Sequence, residues 1–291
     1  MADVWKSYNA DALERQYMPK YWPGVSTNEI VERWIENSNA FHRSVNVVSN
    51  VRYGDSERQC IDVISNGKLG RAPVLAFIHG GYWRSPRLDK HSYSFCVEPI
   101  VRAGAVVGMV EYDLCPDVSM DALVEQVRRA CSWLWKHAED FGGDPSRFHV
   151  SGHSAGGHLA AMMAATPWPA FEPGLPADMI KSIIPVSGLF ELEPLRLSSL
   201  NESLRLGVDE ALRNSPAALT PSFGLPASVV VGGGESDEYR RQSRDFVSRW
   251  RGSTAKIDYI ETAGHHHFSV IEAMTDANNS LTSTILRHLN L

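Results

Sequence analysis

The sequence is poor in the features that would make it a metal, redox, nucleic-acid or membrane protein. It has four cysteines, Cys60, Cys96, Cys115 and Cys131, scattered without C-x-x-C pairing. That spacing argues against a zinc site or a redox pair and fits reduced thiols in a cytoplasm, so each reads as a small buried hydrophobe. No basic run occurs, and 28 Lys and Arg against 34 Asp and Glu give a net charge of −6, which makes nucleic acid an unexpected partner. No apolar run approaches a membrane span, and Met1-Ala2-Asp3-Val4-Trp5-Lys6 has no apolar signal core. The expectation is therefore a cytoplasmic protein with no membrane partner. Internal repeats and low-complexity segments are also missing.

What is present is a globular composition, 43% hydrophobic and 21% charged, over 291 residues, which suits one large α/β domain spanning 1–291. The first 40 or so residues are polar and aromatic, with Tyr17, Tyr21, Trp22 and Trp34, and read as an N-terminal helical arm. Val45–Val51 and Gln59–Ile64 read as early antiparallel strands. Pro73–Ile78 is a continuous apolar run, as expected of a strand buried on both faces, and Ala105–Tyr112 is another. Leu123, Val124, Val127, Cys131, Leu134 and Trp135 recur at helical spacing within Met120–Ala138. Further strands are expected at Arg147–Ser151, Ile180–Val186, Val229–Val231 and Ile257–Ile260, and helices at Glu238–Trp250 and Thr275–Leu289. Alternation of this kind implies an α/β fold, a mostly parallel central sheet with helices on both faces. Between about 190 and 225 the pattern weakens into short charged, proline-flanked pieces, expected to form a small helical lid insertion over the strand ends.

The stretch Gly152-His153-Ser154-Ala155-Gly156-Gly157 lies between an expected strand and an expected helix. A serine at such a turn, with small residues around it, is the G-x-S-x-G nucleophile elbow. The turn forces the serine into a strained conformation and exposes its hydroxyl, and side chains at the glycines would collide with the neighbouring strand and helix. The helix behind it favours developing negative charge. A second motif, His79-Gly80-Gly81-Tyr82-Trp83, ends the Pro73–Ile78 strand. Acyl transfer needs donors aimed at the oxyanion of a tetrahedral intermediate, and glycines let backbone N–H groups come close to it. The oxyanion hole is expected from the Gly80-Gly81-Tyr82 segment together with the N–H of Ala155, with Tyr82 and Trp83 walling the pocket.

The order His79-Gly80-Gly81-Tyr82-Trp83, Glu111-Tyr112-Asp113-Leu114-Cys115-Pro116, Asp144-Pro145 and Gly152-His153-Ser154-Ala155-Gly156-Gly157-His158 resembles the kynurenine formamidase (arylformamidase) branch of the α/β-hydrolase superfamily. Leu13-Glu14-Arg15-Gln16-Tyr17-Met18-Pro19-Lys20-Tyr21-Trp22, Gln242-Ser243 and His267-Phe268 extend the likeness over nearly the whole chain. Hormone-sensitive-lipase-like esterases are the nearest rivals. They usually carry a third glycine where Tyr82 stands and an acid where His153 stands. The resemblance implies an α/β-hydrolase fold, no cofactor, and a substrate that is a small aromatic amide or ester contacted by Tyr82, Trp83 and His153.

A serine hydroxyl needs a base, and the base a carboxylate to orient it, in the chain order Ser, acid, His. The segment after Val229–Val231 offers Glu235, Asp237 and Glu238. The resemblance favours Glu235, with Asp237 second; Glu238 reads as the start of a helix, where a carboxylate suits the dipole. The base lies in His265-His266-His267. The resemblance favours His267, with His266 second. Three adjacent histidines do not make a metal site here: neighbours on an extended chain point apart, and no Cys or carboxylate stands at ligand spacing, so no metal is expected. His79 reads as a residue orienting the oxyanion loop.

The resemblance implies hydrolysis of an aryl formamide such as N-formyl-L-kynurenine to formate and the free amine, with an acyl-enzyme as the expected intermediate. A carboxylesterase or an aryl-amide or carbamate hydrolase with the same triad is the alternative. A non-catalytic binding scaffold is disfavoured by the intact Ser, acid, His order. A homodimer is compatible with the sequence, which fixes no oligomeric state.

Overall fold

A computed structural model describes residues 2–67, 70–254 and 256–291. Its frame is an eight-stranded sheet in the order β1-β2-β4-β3-β5-β6-β7-β8. The strands are β1 (Asn46–Arg52), β2 (Cys60–Ser65), β3 (Ala72–Ile78), β4 (Val106–Val110), β5 (Gly143–His153), β6 (Ser182–Val186), β7 (Pro226–Gly232) and β8 (Lys256–Thr262). β1 and β2 run antiparallel to their neighbours, and the other pairings are parallel. The sheet is thus mostly parallel with an antiparallel edge, as the apolar runs imply. β4 is buried at every position and β3 at all but its first. Strands covered on both faces cannot alternate apolar with polar residues.

The covering layers come from different parts of the chain. On one face, the helices Met120–Lys136, Ala155–Ala164 and Asp237–Trp250 bury Leu123, Val127, Leu159, Phe246 and Trp250. On the other, the helices Thr27–His42 and Ser280–Leu289 bury Ile30, Trp34, Phe41, Leu281 and Ile285. The expected C-terminal helix begins later than Thr275, at Ser280, because Asn279 caps it by accepting from Leu281 N–H at 2.9 Å.

The N-terminal arm is tied down by polar as well as apolar contacts. Leu13 and Tyr17 of the helix Ala10–Tyr17 are fully buried. The Tyr17 hydroxyl donates to Glu238 Oε2 at 2.8 Å, and the Trp5 indole donates to the same oxygen at 3.1 Å. Glu238 lies in the first turn of its helix, as expected, and is also a buried anchor that Arg241 Nε neutralises at 2.7 Å. Gln242 completes the anchor: its amide donates to the Tyr17 hydroxyl, and its Oε1 accepts from the N–H groups of Phe190 and Glu191.

Residues 190–225 contain the short helices Glu193–Arg196, Asn201–Leu204 and Val208–Arg213. Leu192, Leu195, Leu200, Leu204 and Leu206 bury this insertion against the main body.

Candidate active site

The carboxyl end of β5 turns sharply into the helix Ala155–Ala164, and Ser154 sits at the turn with φ 58° and ψ −117°. A non-glycine residue there carries roughly 1–3 kcal/mol of backbone strain. Close packing holds it. A Cβ on Gly156 would lie 1.9 Å from the Ile78 carbonyl oxygen, and one on Gly80 would lie 2.6 Å from the Tyr93 hydroxyl and 3.1 Å from Ser154 Cβ. Both glycines let β3 and the loop after it lie directly against the elbow.

That loop is itself strained: Gly81, Tyr82 and Trp83 all have positive φ, at 116°, 51° and 55°. The backbone N–H groups of Gly81, Tyr82 and Ala155 donate to no acceptor among the described residues. Gly80 supplies close approach, since a Cβ there would meet the Tyr93 hydroxyl. Three N–H groups without a protein acceptor thus flank the strained Ser154.

His79 and Glu111 brace this loop from below. His79 Nδ1 is 2.7 Å from the Gly80 carbonyl and Nε2 is 3.0 Å from Glu111 Oε1, while the ring stacks on Tyr112 at 4.3 Å. Glu111 also accepts from Arg58 Nη2 at 2.5 Å and from Lys90 N–H at 3.0 Å. Burial alone would raise its carboxyl, but His79, Arg58 and the backbone donor outweigh burial and hold it at about 2, against an ordinary 4.5. A depressed carboxylate stabilises the fold above the unfolded value and loses that contribution as pH falls through the folded one; the shift corresponds to something on the order of 3 kcal/mol. Glu111→Gln is therefore expected to lower the urea midpoint at pH 7. The gap to the parent protein should close as pH falls from about 4.5 to about 2. A gap that stays constant over that range would reject the linkage.

The carboxylate and imidazole candidates sort themselves by contact. Glu235, 7% exposed, follows β7. Its Oε1 accepts from Gly232 N–H at 2.7 Å and from the Ser187 hydroxyl at 2.5 Å. Its Oε2 lies 2.7 Å from His267 Nδ1. Asp237 heads the next helix, exposed, and pairs with Arg240 at 2.6 Å. His266 Nδ1 accepts from Phe268 N–H and Ser269 N–H, both at 3.2 Å, and so shapes its own loop. Among the described residues no group of three His, Cys, Asp or Glu side chains gathers as a metal would need.

Ser154 and His267 open onto one cavity of about 210 Å³. Tyr82, Leu88 and Phe268 supply much of its wall, and Met18, Pro19 and Thr27 of the N-terminal segment cover it. The insertion at 190–225 contributes no lining residue. The cover expected from that insertion comes instead from the arm, because the insertion's leucines face inward to the core and the arm is pinned at Glu238. Trp22 packs edge-on against the His267 ring at 5.4 Å, and Tyr239 lies against it at 4.6 Å.

Two expected substrate contacts need correction. Trp83 is fully buried, packed edge-on against His158 at 4.9 Å, and does not line the cavity. His153 is also fully buried. Its Nδ1 accepts from the Tyr93 hydroxyl at 2.9 Å, and its Nε2–H donates to the His267 carbonyl at 2.8 Å. Burial, reinforced by the nearby His267, pushes its pKa well below the ordinary histidine value, so it stays neutral. His153 thus fixes the backbone of the His267 loop and touches no part of the cavity. Tyr82 does line it, with its hydroxyl held by the Tyr17 carbonyl and by the Tyr239 hydroxyl. Ser187, Tyr93 and Tyr239 escaped sequence reasoning; no local motif marks them. The four cysteines are free and buried, and burial raises Cys115 and Cys131 to about 12. Such thiols are poor nucleophiles.

The comparisons with known proteins agree with this geometry. Residues 75–270 match a family model for the alpha/beta hydrolase fold. A kynurenine formamidase from Danio rerio is 32% identical over 97% of both chains, and one from Drosophila melanogaster is 27% identical over 96% of this chain and 97% of its own. A solved structure from Silicibacter sp. TM1040 superposes with a TM-score of 0.81 at 27% identity, covering 94% of this chain and 98% of that one. From that breadth of match and the elbow, oxyanion loop and acid–histidine pair that it spans, the chain belongs to the α/β-hydrolase family as a kynurenine formamidase-like hydrolase.

Proposed function

We propose that the chain cleaves an aryl formamide of the N-formyl-L-kynurenine type, releasing formate and the free aromatic amine through a formyl-enzyme on Ser154. The observation that carries this reading is the 2.7 Å His267–Glu235 pair, set on the same cavity as the strained Ser154. Ser154 Oγ attacks the formyl carbon and gives its proton to His267 Nε2. Glu235 accepts from Nδ1–H, fixing the tautomer and stabilising the imidazolium. The oxyanion accepts from the N–H groups of Gly81, Tyr82 and Ala155. Collapse breaks the C–N bond as His267 protonates the leaving amine. Water, deprotonated by the same imidazole, then attacks the formyl ester and frees formate and Ser154. The relatives named kynurenine formamidase support the substrate class. The four free thiols support a cytoplasmic setting.

The test offers purified protein N-formyl-L-kynurenine, 4-nitrophenyl acetate and an aryl carbamate at matched concentrations, with formate or phenol release as the readout. The formamide is expected to give the highest kcat/KM. Rapid cleavage of the ester or carbamate with negligible cleavage of the formamide would discard the formamidase reading and retain a serine esterase.

A further inference from the structure

The cavity over Ser154 is mostly apolar. Met18, Pro19, Leu88 and Phe268 line it, no carboxylate does, and Arg84 is the one Lys or Arg among its lining residues; the other polar ones are Thr27, Tyr82, Ser85, Tyr93, Ser154 and His267. Arg84 is half-buried, and its Nη1 donates to the neutral Ser203 hydroxyl at 3.0 Å. It forms no ion pair among the described residues. The contrast with Arg87, three positions on, is informative: that side chain is paired with Glu32 at 3.8 Å and with Asn28 at 2.5 Å. A guanidinium kept beside a mostly apolar cavity without an anion has a fork of donors matched to a carboxylate, and the low polarity around it strengthens such a pair.

We propose that Arg84 is the specificity-determining cation of this site, and that the preferred substrate carries a carboxylate on its aromatic, leaving-group portion. This rests on Ser154 being the nucleophile, which places the acyl group at the oxyanion loop and leaves the remainder of the substrate to reach Arg84. Ser203 orients the guanidinium from the short helix Asn201–Leu204, so the insertion at 190–225 influences specificity through Arg84 without lining the cavity.

Two matched pairs test the idea: N-formyl-L-kynurenine with its methyl ester, and 3-acetoxybenzoate with its methyl ester. Each pair differs by the negative charge. The parent protein is expected to favour the free acid by about 10- to 100-fold in kcat/KM, the range of a charge-assisted hydrogen-bonded pair. In Arg84→Met the acid-to-ester ratio should fall to about 1, with the loss in KM, and Arg84→Lys should recover part of the preference. Binding of L-kynurenine and of its methyl ester, followed by calorimetry, needs no turnover and should show the same Arg84-dependent difference. If the acetoxybenzoate pair and the calorimetry show that dependence while neither formamide is cleaved, the formamidase reading fails and the role of Arg84 stands. A parent protein that does not distinguish acid from ester, or an Arg84→Met variant that keeps the full preference, overturns the proposal.

Discussion

Ser154→Ala is expected to lower kcat on N-formyl-L-kynurenine by about 10⁴- to 10⁶-fold while the protein keeps its thermal midpoint. The size follows from loss of the covalent route: the remaining oxyanion donors and cavity can only assist direct attack by water. The midpoint should hold because Ser154 at φ 58° is strained through its backbone, and alanine meets the same strain. The Ser154 hydroxyl is also not among the contacts that hold His267, which rest on Glu235 Oε2 and on His153 Nε2. A formate-release assay beside a melting curve reads both quantities. Substantial residual turnover in a variant with an unchanged melting curve would remove Ser154 from the nucleophile role.

The second large effect separates two carboxylates that stand two positions apart. Glu235→Gln is expected to cut kcat by about 10³- to 10⁴-fold, because the amide can donate to Nδ1 and so favour the tautomer that leaves Nε2 protonated and unable to accept from Ser154. Asp237→Asn should stay within about 3-fold, since an exposed helix-start pair with Arg240 contributes only about 0–1 kcal/mol. The reverse ranking would transfer the acid role to Asp237. Ser187→Ala offers an internal check on the direction: it removes one donor from Glu235 Oε1 and leaves the Gly232 N–H in place, so a smaller loss than that of Glu235→Gln is expected.

The fold was legible wherever a strand is buried on both faces or a helix presents one apolar stripe. Pro73–Ile78, the elbow strand and Met120–Ala138 all appear within a few residues of their expected bounds. Strand ends were less visible: β5 begins at Gly143, four residues before the apolar run at Arg147, because its first residues pair with Ala72 through a register shift that no periodicity encodes. The insertion at 190–225 was legible as helical but not in its role. Its leucines could equally cover a cavity or a core, and only their burial against the main body decides between them.

The local motifs of the sequence by themselves determined the strand-to-helix turn at Ser154 and the close-packed loop at Gly80-Gly81-Tyr82, because each is a contiguous stretch whose backbone conformation needs those residue types. Tertiary structure showed that Glu235 and His267, which the resemblance already favoured over Asp237 and His266, form one hydrogen-bonded pair. It alone moved His153 and Trp83 from the cavity into the packing beneath it, left Arg84 without an anion, and brought Met18 and Thr27 over Ser154. The physical reason is common to all of these. Neighbouring residues on one loop differ little in sequence signal, yet a hydrogen bond of 2.7 Å between the loop after β7 and the loop after β8 depends on how the sheet holds two segments that are distant in sequence.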